Sequence, residues 1–153
     1  MSRKATALLA ALSLVFGLSA CSGVDTSDPR EVVIAFFGAM EKDDKAALAR
    51  LLDIVELMKN TQQDYSLQTD DKRVFTNPED LLDDLTGDGR TKTAWFRLQR
   101  IVSKANITGQ VATVEVTFVD KGASQGYRTS FGLQRNEGRW RIYSFKTHQD
   151  PSG

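Results

Sequence analysis

The sequence predicts an α+β domain in which N-terminal helices pack on a curved four-stranded antiparallel meander. Apolar residues recur at helical spacing between positions 32 and 58, and a capped helix start follows at Asn77. From position 94 onward, apolar and polar residues alternate, which is the pattern of half-buried strands. Helices that are segregated from consecutive antiparallel strands define the α+β class.

The first helix begins after Asp28, which can cap it, with Pro29 at the first helical position and Glu31 at the capping-box position. Asp44 can cap a second helix. The apolar stripes of the two helices are Val32, Val33, Phe36, Phe37 and Met40, and then Leu48, Leu51, Leu52, Val55 and Met58. Residues 60–76 are polar and predict a loop with one short strand at most.

A third helix follows Asn77 and Pro78, and the glycines at 87 and 89 end it. The strands are predicted at 94–102, 110–119, 127–134 and 139–147, with turns at 106–109, 120–126 and 136–138. The last strand carries Trp140 and Ile142 on one side and Tyr143 and Phe145 on the other. This pattern predicts either a β-bulge or a strand covered on both faces.

Cys21, the only cysteine, follows a positively charged start, Arg3 and Lys4, and an apolar run over residues 5–20. A run of 16 residues is shorter than the roughly 20 that a transmembrane helix needs. Small residues before a lone cysteine resemble the bacterial lipobox, in which the cysteine becomes the acylated N-terminus. The alternative is an ordinary secreted protein whose cysteine falls there by chance.

The lipobox divides the chain into a signal peptide (1–20), a lipidated N-terminus with a short tether (21–28), a domain (29–147) and a frayed tail (148–153). Acyl chains such as palmitate on Cys21 would anchor the protein to a membrane. Ser22 resembles the residue that directs Gram-negative lipoproteins to the outer membrane, facing the periplasm. The six residues from 22 to 27 would hold the domain within about 20 Å of the lipid.

Composition restricts the classes of function. Removing residues 1–20 from the 153 leaves 133 residues, enough for one domain. Losing Arg3 and Lys4 leaves 18 basic and 20 acidic residues, so the mature chain has a net charge of −2. This balance does not favour nucleic-acid binding. With its only thiol acylated, the mature chain would have no disulfide, cysteine nucleophile or thiolate metal site.

Two stretches, 32–52 and 138–145, resemble the nuclear-transport-factor-2-like superfamily, whose cone fold is shared by ketosteroid isomerases and polyketide cyclases. The first is similar to the opening helix pair, and the second, Gly-Arg-Trp-Arg-Ile-Tyr-Ser-Phe, to the closing strand. With the strand order, the likeness covers residues 29–147. It implies a sheet curled around the helices with a cone-shaped pocket, but no activity, because this fold hosts many functions.

The strand parity places a candidate ligand pocket on the inner face of the cone. Its predicted lining is apolar or aromatic: Phe96, Leu98, Phe118, Tyr127, Phe131 and Trp140. The inward polar candidates are Tyr127, Thr129 and Tyr65, and no Asp, Glu or His falls on this face. Because acid–base catalysis needs a positioned titratable group, we expect no enzyme. An aspartate from 64–71 folded into the cone would revive that possibility.

No cofactor or metal is expected. Residues 84–89 resemble the start of a calcium loop, but position 12 of such a loop would be Trp95 rather than glutamate. A helix end and a turn explain these residues better. His148, the only histidine, falls in the predicted tail.

A second candidate site is the outer face of the sheet, which could contact a partner protein or anionic lipid. Its members by parity are Trp95, Arg97, Arg128, Arg139 and Arg141. The alternative is a solvated face that keeps the sheet soluble.

Taken together, the sequence predicts a lipid-anchored periplasmic module without catalytic activity that docks an envelope protein. The alternative is a carrier or sensor that binds a small hydrophobic ligand in the cone, and an isomerase- or cyclase-like enzyme is third. A homodimer formed through the sheet is a further possibility.

Overall fold

The computed structural model describes residues 24–64, 75–120, 122 and 126–149. These residues form five helices followed by five strands. The helices are α1 (Pro29–Glu41), α2 (Lys45–Leu51), α3 (Ile54–Asp64), α4 (Pro78–Asp84) and α5 (Arg90–Phe96). The strands are β1 (Gln99–Val102), β2 (Asn106–Thr108), β3 (Val111–Val119), β4 (Gly126–Asn136) and β5 (Arg139–Gln149). The predicted α+β class is confirmed.

The strands form one antiparallel sheet in the order β1-β3-β4-β5, with β2 also paired to β3. Gln99 of β1 lies opposite Val119, and Asn106 of β2 lies opposite Thr113, so both short strands occupy the same edge of β3. The prediction of a turn at 106–109 was therefore wrong in part, because 106–108 pair with β3 and the turn falls at 109–110.

A β-bulge in β5 confirms one of the two alternatives for the last strand. Gly132 lies opposite Ser144, whereas the next residue, Leu133, lies opposite Ile142, which leaves Tyr143 as the extra residue. A bulge reverses the side-chain parity beyond it. Trp140 and Ile142 before the bulge and Phe145 after it are consequently all buried.

The start of α1 and the turn of the β4–β5 hairpin follow the predicted local rules. The Asp28 carboxylate accepts a hydrogen bond from the N–H of Arg30, 2.8 Å away. Glu137 and Gly138 have φ angles of 51° and 77°, which is the conformation that a two-residue type I′ hairpin turn requires.

The single second helix that the apolar stripe predicted is two helices. Leu52 is extended and forms a parallel bridge with Ile142, and the N–H of Asp53 donates to the Ile142 carbonyl at 2.8 Å. The Asp53 carboxylate then accepts from the N–H of Glu56 and begins α3. Asp53 followed three residues later by Glu56 is a helix-start signal that the apolar periodicity obscured.

The predicted first strand, 94–102, was wrong at its N-terminal half. Residues 90–96 form α5, and only 99–102 are strand. Gly89 precedes α5 and supplies no side-chain cap, so the usual start signal is missing. Thr91 and Trp95, four positions apart, are both buried and form the inner face of this short helix.

Three separate segments cover the free edge of β5. The backbone N–H of Trp140 donates to the Thr26 carbonyl at 3.0 Å, Asp53 bonds to Ile142, and Asn60 Nδ2 donates to the Tyr143 carbonyl at 2.8 Å. This coverage protects an edge that would otherwise be free to pair with another chain. Part of the predicted tether is thus docked on the sheet, and β5 continues to Gln149, beyond the predicted end of the domain at 147.

Within the described ranges, no helix is long and apolar enough to cross a membrane. The predicted signal peptide 1–20, the acylated Cys21 and Ser22, Tyr65, most of the 64–71 segment and the end of the tail lie outside the described residues.

The docking of the N-terminal segment on Trp140 gives a testable expectation. Besides the backbone bond, the indole Nε1–H of Trp140 donates to the Ser27 carbonyl at 3.1 Å. Replacing Trp140 by Phe removes this bond, which is worth about 1 kcal/mol. We expect the backbone amide at position 140 to exchange its hydrogen about fivefold faster, which corresponds to that energy.

Trp95→Phe is the matched control, because no residue in the described part of the chain accepts a hydrogen bond from the Trp95 indole. Hydrogen exchange followed by NMR measures both variants. Unchanged exchange at position 140 in Trp140→Phe would show that the indole does not fix the N-terminal segment.

Candidate functional site

The space between α1 and the inner face of the sheet is occupied by a cluster of six aromatic rings. We call it the aromatic cluster: Phe36, Phe37, Trp95, Phe118, Phe131 and Phe145. All six side chains are buried. The ring centroids of Phe131 and Phe145 lie 5.0 Å apart, edge to face, and those of Trp95 and Phe118 lie 5.4 Å apart, stacked. These are distances of direct packing.

The sequence brings these rings together through two periodicities. Phe36 and Phe37 lie on the buried stripe of α1, which faces the sheet. Phe118 occupies an inward position of β3, whose residues alternate between buried and exposed or half-buried positions, and Phe131 of β4 lies opposite the buried Val114 on the same face. Phe145 reaches the same face because the bulge at Tyr143 shifts the parity of β5.

Trp95 brings an unpaired polar atom into the aromatic cluster. Its side chain is 1% exposed, and its indole Nε1 has no hydrogen-bond partner among the described residues. A buried donor without a partner costs about 1–3 kcal/mol. An acceptor atom of a bound molecule that reached this N–H would remove the cost, and its binding would be strengthened accordingly.

Arg100 is a cation at the edge of the aromatic cluster. It lies opposite Phe118 in the sheet and therefore points to the inner face. Its guanidinium carbon is 4.0 Å from the Phe96 ring centroid and 5.3 Å from that of Phe37, and Nη1 donates to the Trp95 carbonyl at 3.1 Å. Burial lowers the pKa of Arg100, and the negative charge of Glu41 acts in the opposite direction.

The Arg100 guanidinium remains charged, because an arginine pKa lies far above neutrality. Such a group can donate hydrogen bonds to a carboxylate or carbonyl oxygen and can stack on aromatic rings. It is a poor general base. The chemistry that this edge offers is thus recognition of a negative or carbonyl group beside an apolar surface.

A surface groove of ≈ 400 Å³ lies beside the start of α1. Residues 27–30 at the start of α1 form one side, and Lys104, Ala105 and Ile107 form the other. Ile107 is 53% exposed although it lies opposite the buried Ala112. The groove is separate from the aromatic cluster, and it was not predicted, because β2 was taken as a turn.

The six predicted pocket residues do not form one wall. Phe118 and Phe131 belong to the aromatic cluster, and Trp140 is buried beside the N-terminal segment. Tyr127 is half-buried on β4. Phe96 and Leu98 were expected on a strand, but they lie at the end of α5 and in the turn after it, where both are half-buried.

The predicted partner surface is wrong at the two residues that precede the sheet, Trp95 and Arg97. Trp95 does not belong to the outer face, because it lies on α5 and points into the core. Arg97 is exposed at the C-cap of α5 rather than on the sheet. The error has one cause, which is the assignment of 94–98 to a strand.

The remaining arginines are exposed but form no single patch. Arg139 lies opposite Asn136, and Arg141 lies opposite Gln134, at the β4–β5 hairpin. Arg128 is six residues before Gln134 on β4, which places it about 20 Å away. Arg139 and Arg141 are therefore neighbours, whereas Arg128 belongs to the other end of the sheet.

The acidic residues in the described ranges do not gather into a metal site. Among the residues that the structure describes, no group of three or more His, Cys, Asp or Glu side chains could hold a metal ion. The stretch 84–89 is the end of α4 and a turn, as expected, and the Asp84 carboxylate accepts a hydrogen bond from the Thr91 hydroxyl.

No protein-family model matches this sequence, and no curated protein matches it. Solved structures do match. A candidate ketosteroid isomerase from Shewanella frigidimarina NCIMB 400 is 18% identical, with a TM-score of 0.54 over 82% of this chain and 98% of that chain. A candidate dehydratase of the NTF2-like family from Streptomyces avermitilis is 16% identical, with a TM-score of 0.50 over 85% and 100%.

An NTF2-like protein of unknown function from Methylobacillus flagellatus KT is 19% identical, with a TM-score of 0.50 over 78% of this chain and 87% of that chain. At these identities the likeness concerns the fold and not the activity. The resemblance inferred from the helix pair and the closing strand is confirmed at this level: the chain has the nuclear-transport-factor-2-like cone fold.

Proposed function

We propose that this chain is a lipid-anchored protein of the bacterial cell envelope whose cone domain is a non-catalytic docking module. The observation that carries the proposal is the aromatic cluster, whose six rings occupy the space between α1 and the sheet. Ligand pockets of small-molecule carriers are typically about 300–1,000 Å³. Rings in direct contact with one another leave less space for a ligand than a pocket of that size.

With its interior occupied by its own side chains, the domain would act through its surface. The pair Arg139 and Arg141 lies on an exposed hairpin and can donate to acidic groups of a partner protein at the membrane surface. This pair replaces the wider patch that included Trp95. A homodimer through the sheet remains a prediction.

Lipid attachment at Cys21 and localisation to the outer membrane are parts of the same proposal. They rest on the signal-like residues 1–20 and on the serine that follows the cysteine. We expect Cys21→Ser to abolish incorporation of labelled palmitate and to release the chain from the membrane fraction. Ser22→Ala, which leaves the acceptor thiol intact, is the control and should still be labelled. Palmitate incorporation that survives in Cys21→Ser would contradict the lipobox.

The filled interior on which the docking proposal rests is tested by native mass spectrometry of residues 22–153, secreted without the acyl chain and purified from periplasm. We expect the mass of the bare protein. A discrete additional mass that is lost on denaturation would contradict the filled interior and would favour a carrier or sensor.

The carrier is the second candidate because of Trp95 and Arg100. The buried indole N–H of Trp95, without a partner among the described residues, and the guanidinium of Arg100, which donates to the Trp95 carbonyl, could together bind an apolar molecule that has a carboxylate or carbonyl group. Replacing Trp95 by Phe would then reduce occupancy of the additional mass, since the donor is lost while an aromatic ring is kept. Unchanged occupancy in this variant would place the ligand elsewhere.

An isomerase- or cyclase-like enzyme ranks third. Two of the structural neighbours are named as a candidate isomerase and a candidate dehydratase, but at 18% and 16% identity they support only a common fold. Proton transfer needs a titratable group positioned at the substrate. Arg100 at the edge of the aromatic cluster is suited to binding rather than to proton abstraction.

A further inference from the structure

The N-terminal segment leaves the domain at a defined place. Thr26 and Ser27 are both hydrogen-bonded to Trp140, through its backbone N–H and its indole N–H, at 3.0 and 3.1 Å. The chain is thus fixed to the beginning of β5 before α1 starts. The carboxylate of Asp25 also accepts hydrogen bonds from the backbone N–H and the hydroxyl of Ser27, so the path of the chain is held from position 25 onward.

Two hairpin turns lie at this same end of the sheet. The first residue of β3, Val111, lies opposite Gln134 near the end of β4, and β5 begins opposite Asn136. The N–H of Arg135 also donates to the Gln110 carbonyl at 2.8 Å, which ties the two hairpins together. We call the region formed by residues 24–28, 109–110 and 137–138 the anchor end.

The covalent distance from Cys21 to the anchor end is short. Val24 lies three positions after Cys21, and Thr26 lies five positions after it. Fully extended, these lengths correspond to about 10 Å and 17 Å. If Cys21 is acylated, the anchor end cannot be farther than this from the lipid, whereas β3, of nine residues, extends about 30 Å toward the opposite end.

The anchor end also has the side chains expected at a lipid surface. Three of the exposed large apolar residues lie there or beside it: Val24, Ile107 and Val111, at 46%, 53% and 45% exposure. Five basic residues surround them, Arg30, Lys104, Arg135, Arg139 and Arg141, together with four acidic ones, Asp25, Asp28, Glu31 and Glu137. With charges so nearly balanced, the tether and the apolar side chains, rather than attraction to anionic lipid, would set the orientation.

The opposite end differs in character. Lys92 pairs with Asp43, and Lys45 pairs with Glu79 and Asp83. The Lys92 ammonium and the N–H of Gly87 hold the pKa of Asp43 below its usual value. This end therefore carries solvated ion pairs, which favour water over a lipid boundary.

We propose that the anchor end rests on the membrane surface, with Ile107 and Val111 at the headgroup boundary and the turn at 87–88 pointing away from the lipid. The proposal rests on the lipid anchor of the proposed function and adds a fixed orientation to it. The partner is a phospholipid surface. The groove between residues 27–30 and Lys104–Ala105 would then open toward that surface.

The test uses the full-length acylated protein in vesicles of phosphatidylethanolamine and phosphatidylglycerol that contain a nitroxide-headgroup lipid. A fluorophore is attached to a new cysteine in Gln110→Cys or, as the matched control, in Asp88→Cys; both positions are exposed turns. Since Cys21 would be acylated, the new thiol would be the only one to react. We expect several-fold stronger quenching at position 110 than at position 88.

The apolar contact is tested separately within the Gln110→Cys protein. Adding Ile107→Ser and Val111→Ser should weaken quenching at position 110 without releasing the protein from the vesicles. Ile101→Ser is the control, because Ile101 is 54% exposed on β1, lies opposite Thr117 near the far end of β3, and should leave quenching unchanged.

The outcomes separate the two proposals. Protein that floats with the vesicles but shows equal quenching at both positions, or stronger quenching at position 88, would overturn the orientation and leave the anchor intact. Protein that does not float would overturn the lipid anchor, and the orientation with it.

Discussion

Packing of α1 against the inner face of the sheet through the aromatic cluster is the contact on which the rest of the structure depends. The six rings come from α1, α5, β3, β4 and β5, so each of these elements is positioned by the others. Aromatic pairs contribute about 0.5–1.5 kcal/mol beyond the area that they bury. The bulge at Tyr143 serves this contact, since without it Phe145 would face away from the cluster.

If the interior is filled, as we propose, recognition would fall to the two ends of the domain. At one end, Arg100 lies over the Phe96 ring and donates to the backbone carbonyl of Trp95. At the other, the N-terminal segment is bound to Trp140, and two hairpins and an open groove surround it. If lipid anchoring holds the second end at the membrane, the first end would be the one open to soluble molecules of the periplasm.

The sequence predicted elements that carry their own local signals. Asp28 and Asn77 cap helices, the Glu137–Gly138 turn closes a hairpin, and the inward positions of β3 and β4 follow from alternation. It failed where a tertiary contact decides. Trp95 alternates with its neighbours as a strand residue would, yet packing with Phe118 places it on a short helix without a side-chain cap. The strand assignment of residues 94–98 alone explains why Trp95 and Arg97 were wrongly predicted on the outer surface and why Phe96 and Leu98 were predicted on a strand lining the pocket.

The central claim, a cone filled by its own rings, is tested most directly by the cost of deleting one of them. Phe131 contacts Phe36, Phe37, Trp95 and Phe145 and is fully buried. In a filled interior, Phe131→Ala should lower the free energy of unfolding by about 3–5 kcal/mol. Val55→Ala, at an exposed position, should change it by about 0.5 kcal/mol or less. Urea unfolding measures both, and a loss for Phe131→Ala as small as that of Val55→Ala would show that this ring borders an open pocket.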